Sequence, residues 1–177
     1  MKYVIASDIH GSAKYCRLLK QRFQEEKAEK LILLGDLLYH GARNPLPPEY
    51  GTLQTAGILN ELKAYIICVR GNCDSEVDQM VLDFPLQADF GMIALPHGTA
   101  VLAHGHKSPA RLNDGDILIN GHFHVPAFEK REGYLYVNCG SVSIPKENSP
   151  HSYLVLEEGT LTWKNAETGD VFRTEYI

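Results

Sequence analysis

The sequence predicts an α/β fold: two β-sheets packed face to face with helices on the outer faces, in a single domain spanning residues 1–177. Three observations carry this. The first half alternates short apolar runs with amphipathic segments, the pattern of parallel strands joined by crossover helices. The second half strings together short strand-type runs separated by turns, which calls for a second sheet packed on the first. The 177 residues show no linker and no internal repeat. That is one domain's worth of chain, able to bury roughly 70% of its unfolded surface without staples.

The elements follow in order. Residues 2–7 form the first strand. Ser12 opens an amphipathic helix carrying Cys16, Leu19 and Phe23 on its apolar side, with Glu25, Glu26 and Lys27 near its end. Residues 30–34, Lys-Leu-Ile-Leu-Leu, read as a central buried strand. Residues 37–51 contain Gly41, Asn44, Pro45, Pro47 and Pro48 and form a loop. A second helix is predicted over 52–62, weakened by Gly57, then a strand over 64–70 and a short helix over 75–82. Strands follow at 91–95, 99–103, 116–120, 127–131, 134–138, 153–157, 160–164 and 171–175. Pro96-His97-Gly98 and Glu158-Gly159 are among the turns between them. The Tyr, Val and Phe residues near the C-terminus finish the outer sheet or make the edge of a homodimer or higher homo-oligomer.

Composition excludes several classes. Hydrophobic residues are 44% and charged residues 22% of the chain, so disorder, collagen-like repeats and coiled coil are not its main state. A net charge of -5 without a basic run argues against binding long nucleic acid or an anionic membrane. The apolar start is too short for a signal peptide, and no stretch nears the roughly 18 apolar residues of a membrane helix. Cys16, Cys68, Cys73 and Cys139 form no Cys-x-x-Cys pair, and Cys16 and Cys68 read as small buried hydrophobes. A soluble cytoplasmic protein with reduced thiols is expected.

The odd feature is eight histidines in so short a chain. Five motifs each follow a predicted strand: Ser7-Asp8-Ile9-His10-Gly11, Leu34-Gly35-Asp36-Leu37, Arg70-Gly71-Asn72-Cys73-Asp74, His104-Gly105-His106 and Gly121-His122-Phe123-His124. Ligands gather outside the carboxyl ends of strands in α/β sheets, so the five are expected to converge. Asp8-x-His10 and His122-x-His124 place both members on one side if extended. Alone, each motif has a simpler reading as a strand-end cap or an Asx-turn. Together they hold five of the eight histidines, which turn chemistry does not explain and a shared metal site does. Carboxylates with imidazoles and no thiolate set suit manganese, iron or zinc, and one Asp can bridge two ions. His97 and His151 are expected at the surface or in turns.

In this order the motifs resemble the calcineurin-like metallophosphoesterase superfamily, most of all its small bacterial single-domain phosphodiesterases. The resemblance runs from Tyr3 to about Pro145 and includes His40-Gly41-Ala42-Arg43-Asn44 and Gly140-Ser141-Val142-Ser143-Ile144-Pro145. It implies a four-layer α/β/β/α sandwich of two mixed sheets flanked by helices. It also implies a metal-dependent phosphodiesterase in which two divalent ions activate a bridging hydroxide. The ions would be manganese, with zinc, iron, nickel or cobalt as alternatives. Asp8, His10 and His124 would hold one; Asn72, His104 and His122 the other; Asp36 would bridge. Asn72, Asp36, His106 and Cys73 would serve catalysis, and Arg43, Asn44 and His40 a small phosphoester substrate. Asp74 would orient a histidine ligand from behind. Cys73 stands where the superfamily usually has His, which implies weak protonation of the leaving group or its delegation to His40 or His106. The loop after Asp36 also departs from many relatives, so their substrate contacts do not transfer. The competing readings are a non-catalytic protein-binding module on the same fold, as in the retromer scaffold subunit, and a phosphomonoesterase or phosphoprotein phosphatase.

Overall fold

The computed structural model describes residues 1–96, 98–109 and 111–177. His97 lies outside the described residues. β1 (Tyr3–Ala6), β2 (Lys30–Leu33) and β3 (Ile66–Cys68) alternate with α1 (Ala13–Glu26) and α2 (Thr52–Asn60) and pair in parallel, as their crossover connections require. The hydroxyl of Ser12 caps α1 by accepting from the Tyr15 amide, and Lys27 ends it in a left-handed conformation. The predicted strand at 64–70 is shorter than expected because Tyr65 closes a turn back onto the Leu62 carbonyl after α2. The helix expected over 75–82 contracts to a single 3₁₀ turn at Asp78–Met80.

β4 (Phe90–Leu95), β5 (Gly98–Ala103), β6 (Asp116–Asn120), β7 (Ala127–Arg131) and β8 (Tyr134–Asn138) build a second mixed sheet in the order β4-β5-β6-β8-β7. The last three strands do not join it. β9 (Ser152–Glu157), β10 (Thr160–Asn165) and β11 (Val171–Tyr176) return to the first sheet, giving β11-β10-β9-β1-β2-β3. β9 lies antiparallel to β1, with Leu154 opposite Ile5. β11 is the sheet's edge, with Val171, Phe172 and Tyr176 exposed.

Period-two alternation divides each central strand between two cores. Val4, Ala6, Leu31 and Leu33 face α1 and α2; Ile5 and Ile32 face the other sheet. Strands buried on both faces read as continuous apolar runs, which is why β1 and β2 stood out in the sequence. Between the sheets Ile119, Val137, Leu154 and Trp163 pack together, and Trp163 donates its indole N–H to the Asn138 carbonyl at 2.8 Å. Both helices cover the first sheet. On the outer face of the second sheet, Leu112 of the loop after β5 packs on Val101, Leu118 and Tyr136, so this layer is built by loop. No helix among the described residues is long and apolar enough to cross a membrane.

Because Trp163 is fully buried and ties the two sheets together, Trp163→Ala should cost about 3–5 kcal/mol. Urea unfolding should show a lower midpoint with an unchanged slope.

Candidate metal centre

β1, β2 and β3 run parallel, as do β5 and β6, so their carboxyl ends deliver the five motifs to one edge of the sandwich. Two groups of donors result. In the first, Asp8 Oδ1 lies 3.4 Å from His10 Nε2 and 3.1 Å from His124 Nε2, and the two ring nitrogens are 3.5 Å apart. In the second, His104 Nε2 lies 3.0 Å from Asn72 Oδ1 and 3.2 Å from His122 Nδ1. Asp36 Oδ2 stands between them, 3.8 Å from His10 Nε2 and 3.3 Å from His104 Nε2. Donors bound to one ion at about 2.0–2.2 Å sit about 3.0–3.5 Å from one another, which is the spacing within each group.

The rings are held from behind. The Nδ1 of His10 faces the Tyr39 carbonyl at 2.8 Å, that of His104 the Leu34 carbonyl at 2.7 Å, and that of His124 the Ile144 carbonyl at 2.5 Å. An Nδ1–H donated to each carbonyl leaves Nε2 as the free donor atom. His122 is reversed and presents Nδ1 to the centre.

The motifs are turns, not extended strands. Asp8, His10, Asp36, His122 and His124 all have φ between 50° and 65°. This corrects the expectation of same-side pairs on extended backbone: the left-handed turns, not strand alternation, bring the side chains together. Such residues cost about 1–3 kcal/mol each and persist where surrounding structure imposes them. Here main-chain bonds do so, from Asp8 N to the Gly35 carbonyl at 3.1 Å and from His10 N to the Asp36 carbonyl at 2.9 Å.

Asp74 supports the centre differently from the expectation. Its hydrogen bonds go to main chain rather than to a histidine ring: it accepts from Asp36 N and Leu37 N at 2.8 Å and from Gly71 N at 2.7 Å. Burial and the Asp36 charge lift its carboxyl to about 6 against those three bonds. Burial also opposes ionisation of Asp8, but the imidazoles of His10 and His124 close beside it hold it well below the usual carboxylate range. Burial depresses His104, yet Asp36 and Asp8 lift it to about 9. Two buried carboxylates that draw positive charge suit a cation site, and Asp8 Oδ1 is buried with no hydrogen-bond partner among protein atoms. The oxygen and imidazole donors therefore fit divalent ions.

Residues 1–160 match the calcineurin-like phosphoesterase superfamily domain. The chain belongs to that superfamily. The curated relatives of this phosphoesterase include the Escherichia coli K12 protein named phosphodiesterase YfcE, 43% identical over 92% of this chain and 90% of that one. The solved structure of YfcE, a phosphoesterase from E. coli, superposes with a TM-score of 0.94 at 41% identity over all of both chains. Vps29 from Entamoeba histolytica, solved with zinc, shares the fold alone, at a TM-score of 0.66 and 20% identity over 100% and 98% of the two chains.

A cavity of about 720 Å³ opens beside this phosphoesterase's donors, lined by Asp36, Asn72, Cys73, Arg43 and Asn44. His40 is not among its lining residues; its ring packs edge-on between Tyr39 and Tyr50. His106 stands beside the second donor group, its ring 5.4 Å from that of His104. Cys73 Sγ lies within 4.8 Å of donor atoms of His10 and Asp36. Burial and the charge of Asp36 push the thiol up to about 12. His151 is not a free surface residue: its ring stacks on Tyr15 at 4.1 Å and its Nδ1 meets the Val142 carbonyl at 2.8 Å.

Sequence reasoning gave no role to Ser141 and Ser143. Both hydroxyls donate to the Asp8 carbonyl, at 3.0 and 2.8 Å. The signal was present in the quoted Gly-Ser-Val-Ser run, without a partner to attach it to. Tyr39, Phe123 and Lys146 also line the cavity and were missed. Two glycines are required by close approach: a Cβ on Gly71 would overlap the Asp36 carboxylate, and one on Gly121 would overlap Ser7 Oγ.

Two outcomes follow. Asp74→Ala strands three main-chain N–H groups, each costing about 1–3 kcal/mol when left buried and unpaired. Stability by urea melt should fall by about 3 kcal/mol or more, and manganese affinity by calorimetry should weaken about 10–100-fold. Gly71→Ala should fold but displace Asp36, reducing the bound metal measured by elemental analysis below that of the parent.

Proposed function

We propose that this chain is a metal-dependent phosphodiesterase acting on small phosphoesters. One observation carries the reading: Asp36 stands between two donor groups, one of Asp8, His10 and His124 and one of Asn72, His104 and His122. Each group would hold one divalent cation, with Asp36 placed to serve both. A pair of such ions supplies Lewis acidity and an activated water for in-line attack on phosphorus. We favour manganese, because the donors of the two groups are carboxylate, amide and imidazole.

The chain's own residues do the rest. Asn72 faces the cavity and can stabilise charge on a phosphoryl oxygen. Arg43, also in the cavity wall, offers a forked contact to a second oxygen. Asn44 Nδ2 donates to the His40 carbonyl at 2.9 Å, bracing the loop that carries Arg43. Cys73 is a poor proton donor for a leaving alkoxide, so esters with acidic leaving groups are favoured. The diester preference is supported by the 43% identity to the E. coli phosphodiesterase. Four free cysteines fit a reducing, cytoplasmic setting. The exposed edge of β11 fits a homodimer.

The test is hydrolysis of an aryl phosphodiester and an aryl phosphomonoester by chelator-treated protein with Mn, Zn, Ni or Mg restored. Diester turnover should exceed monoester turnover and fall at least 100-fold in Asp36→Asn. No turnover of either ester with any metal would instead favour a protein-binding module. Comparing a series of aryl leaving groups should give a shallower dependence on leaving-group pKa in Cys73→His than in the parent; an unchanged slope would sink the role given to Cys73.

A further inference from the structure

A second cavity, of about 760 Å³, lies on the outer face of the second sheet and shares the wall residue Phe123 with the metal-centre cavity. Phe123 sits between His122 and His124 and is 52% exposed, so it forms the ridge between the two. Strand periodicity builds the floor. Leu118 and Asn120 of β6, and Tyr134 and Tyr136 of β8, alternate with Ile117, Ile119, Leu135 and Val137, which face the inter-sheet core. Lys107, Ser108, Pro109, Arg111 and Leu112 supply the far wall.

Three features define what this groove accepts. First, it offers flat faces: the Arg131 guanidinium lies 3.8 Å from the Tyr136 ring centroid, and Tyr134 and the exposed Phe123 also line the groove. Second, its charges balance. Lys107, Arg111 and Arg131 are matched by Glu129, Glu132 and Glu147, so it selects neither an anion nor a cation. Third, Asn120, only 5% exposed, lines the floor with a buried Oδ1 that has no hydrogen-bond partner. A buried acceptor left unmade is unfavourable, and a ligand N–H would satisfy it.

We infer that this groove binds the second organic group of a phosphodiester, a flat neutral heteroaromatic ring carrying an N–H donor, of which a nucleobase is the type. The inference rests on the phosphodiesterase reading: the phosphoryl group lies at the metal centre, and the ring passes Phe123 to stack in the groove and donate to Asn120.

The test compares kcat/KM of manganese-loaded protein for a thymidine 5′-aryl phosphodiester and a methyl aryl phosphodiester with the same leaving group. The parent should favour the thymidine ester at least tenfold. The preference should fall at least fivefold in Asn120→Leu and in Arg131→Ala, the latter at a surface side chain that folding tolerates. An equal preference in the parent, or one unchanged in both variants, overturns the groove while leaving the phosphodiesterase reading intact. If neither ester is turned over, that reading fails, and the groove is decided by binding alone. Thymidine titrated into the chelator-treated protein should shift the amide resonances of Leu118, Asn120 and Tyr134 in the parent and not in the variants. Absent or scattered shifts overturn it.

Discussion

The buried carboxylate of Asp74 holds together the two loops on which the candidate metal centre is built. It gathers the amides of Asp36 and Leu37, after β2, and of Gly71, after β3. Three charge-assisted bonds of this kind fix the angle at which Asp36 leaves its strand. Asp36 in turn accepts from Cys73 N at 2.8 Å, closing the loop on itself. The position of the shared donor is therefore set by main chain, which moves far less than a side chain would. Gly71 is needed at the point where the two loops touch.

The same economy governs the rest of the centre. Five donor residues sit in left-handed backbone, a conformation that each would leave if its neighbours allowed it. They are kept there by bonds between adjacent strand-end loops and by Ser141 and Ser143 on the Asp8 carbonyl. Strain held by the frame means the donors are aimed before any ion arrives, so little ordering cost falls on binding. The frame can bear this because the strands beneath are buried on both faces.

Much of this was legible in the chain. β6, β7 and β8 fall at the bounds their patterning gives, because each is a short strand-type run closed by Gly, Pro or charged residues. The convergence of the five motifs on one edge was legible because motifs of matching chemistry follow strands that run parallel. What was not legible is non-local. Nothing within residues 152–176 says that β9 pairs with β1 rather than with the second sheet, since that choice is made by partners more than a hundred residues away. The left-handed turns were hidden because Asp-x-His is equally compatible with extended backbone. Asp74 was recognisable as a supporting residue, but its partners are amides, which carry no side-chain signature. The groove under Phe123 was invisible because its floor reads only as the alternation of ordinary strands.

The return of β9 to the side of β1 has a consequence for how the molecule is made. All seven donors have been synthesised once His124 is added. The hydroxyls that pin Asp8 come at Ser141 and Ser143, and the strand that flanks β1 comes only at Ser152–Glu157. A chain emerging from the ribosome thus carries all seven candidate ligands before it carries the frame that aims them. Local folding of the β1-α1-β2 unit can proceed early, but the centre closes only when these distant segments dock. Vectorial synthesis therefore makes the segments that pin Asp8 available only after every candidate ligand has been made.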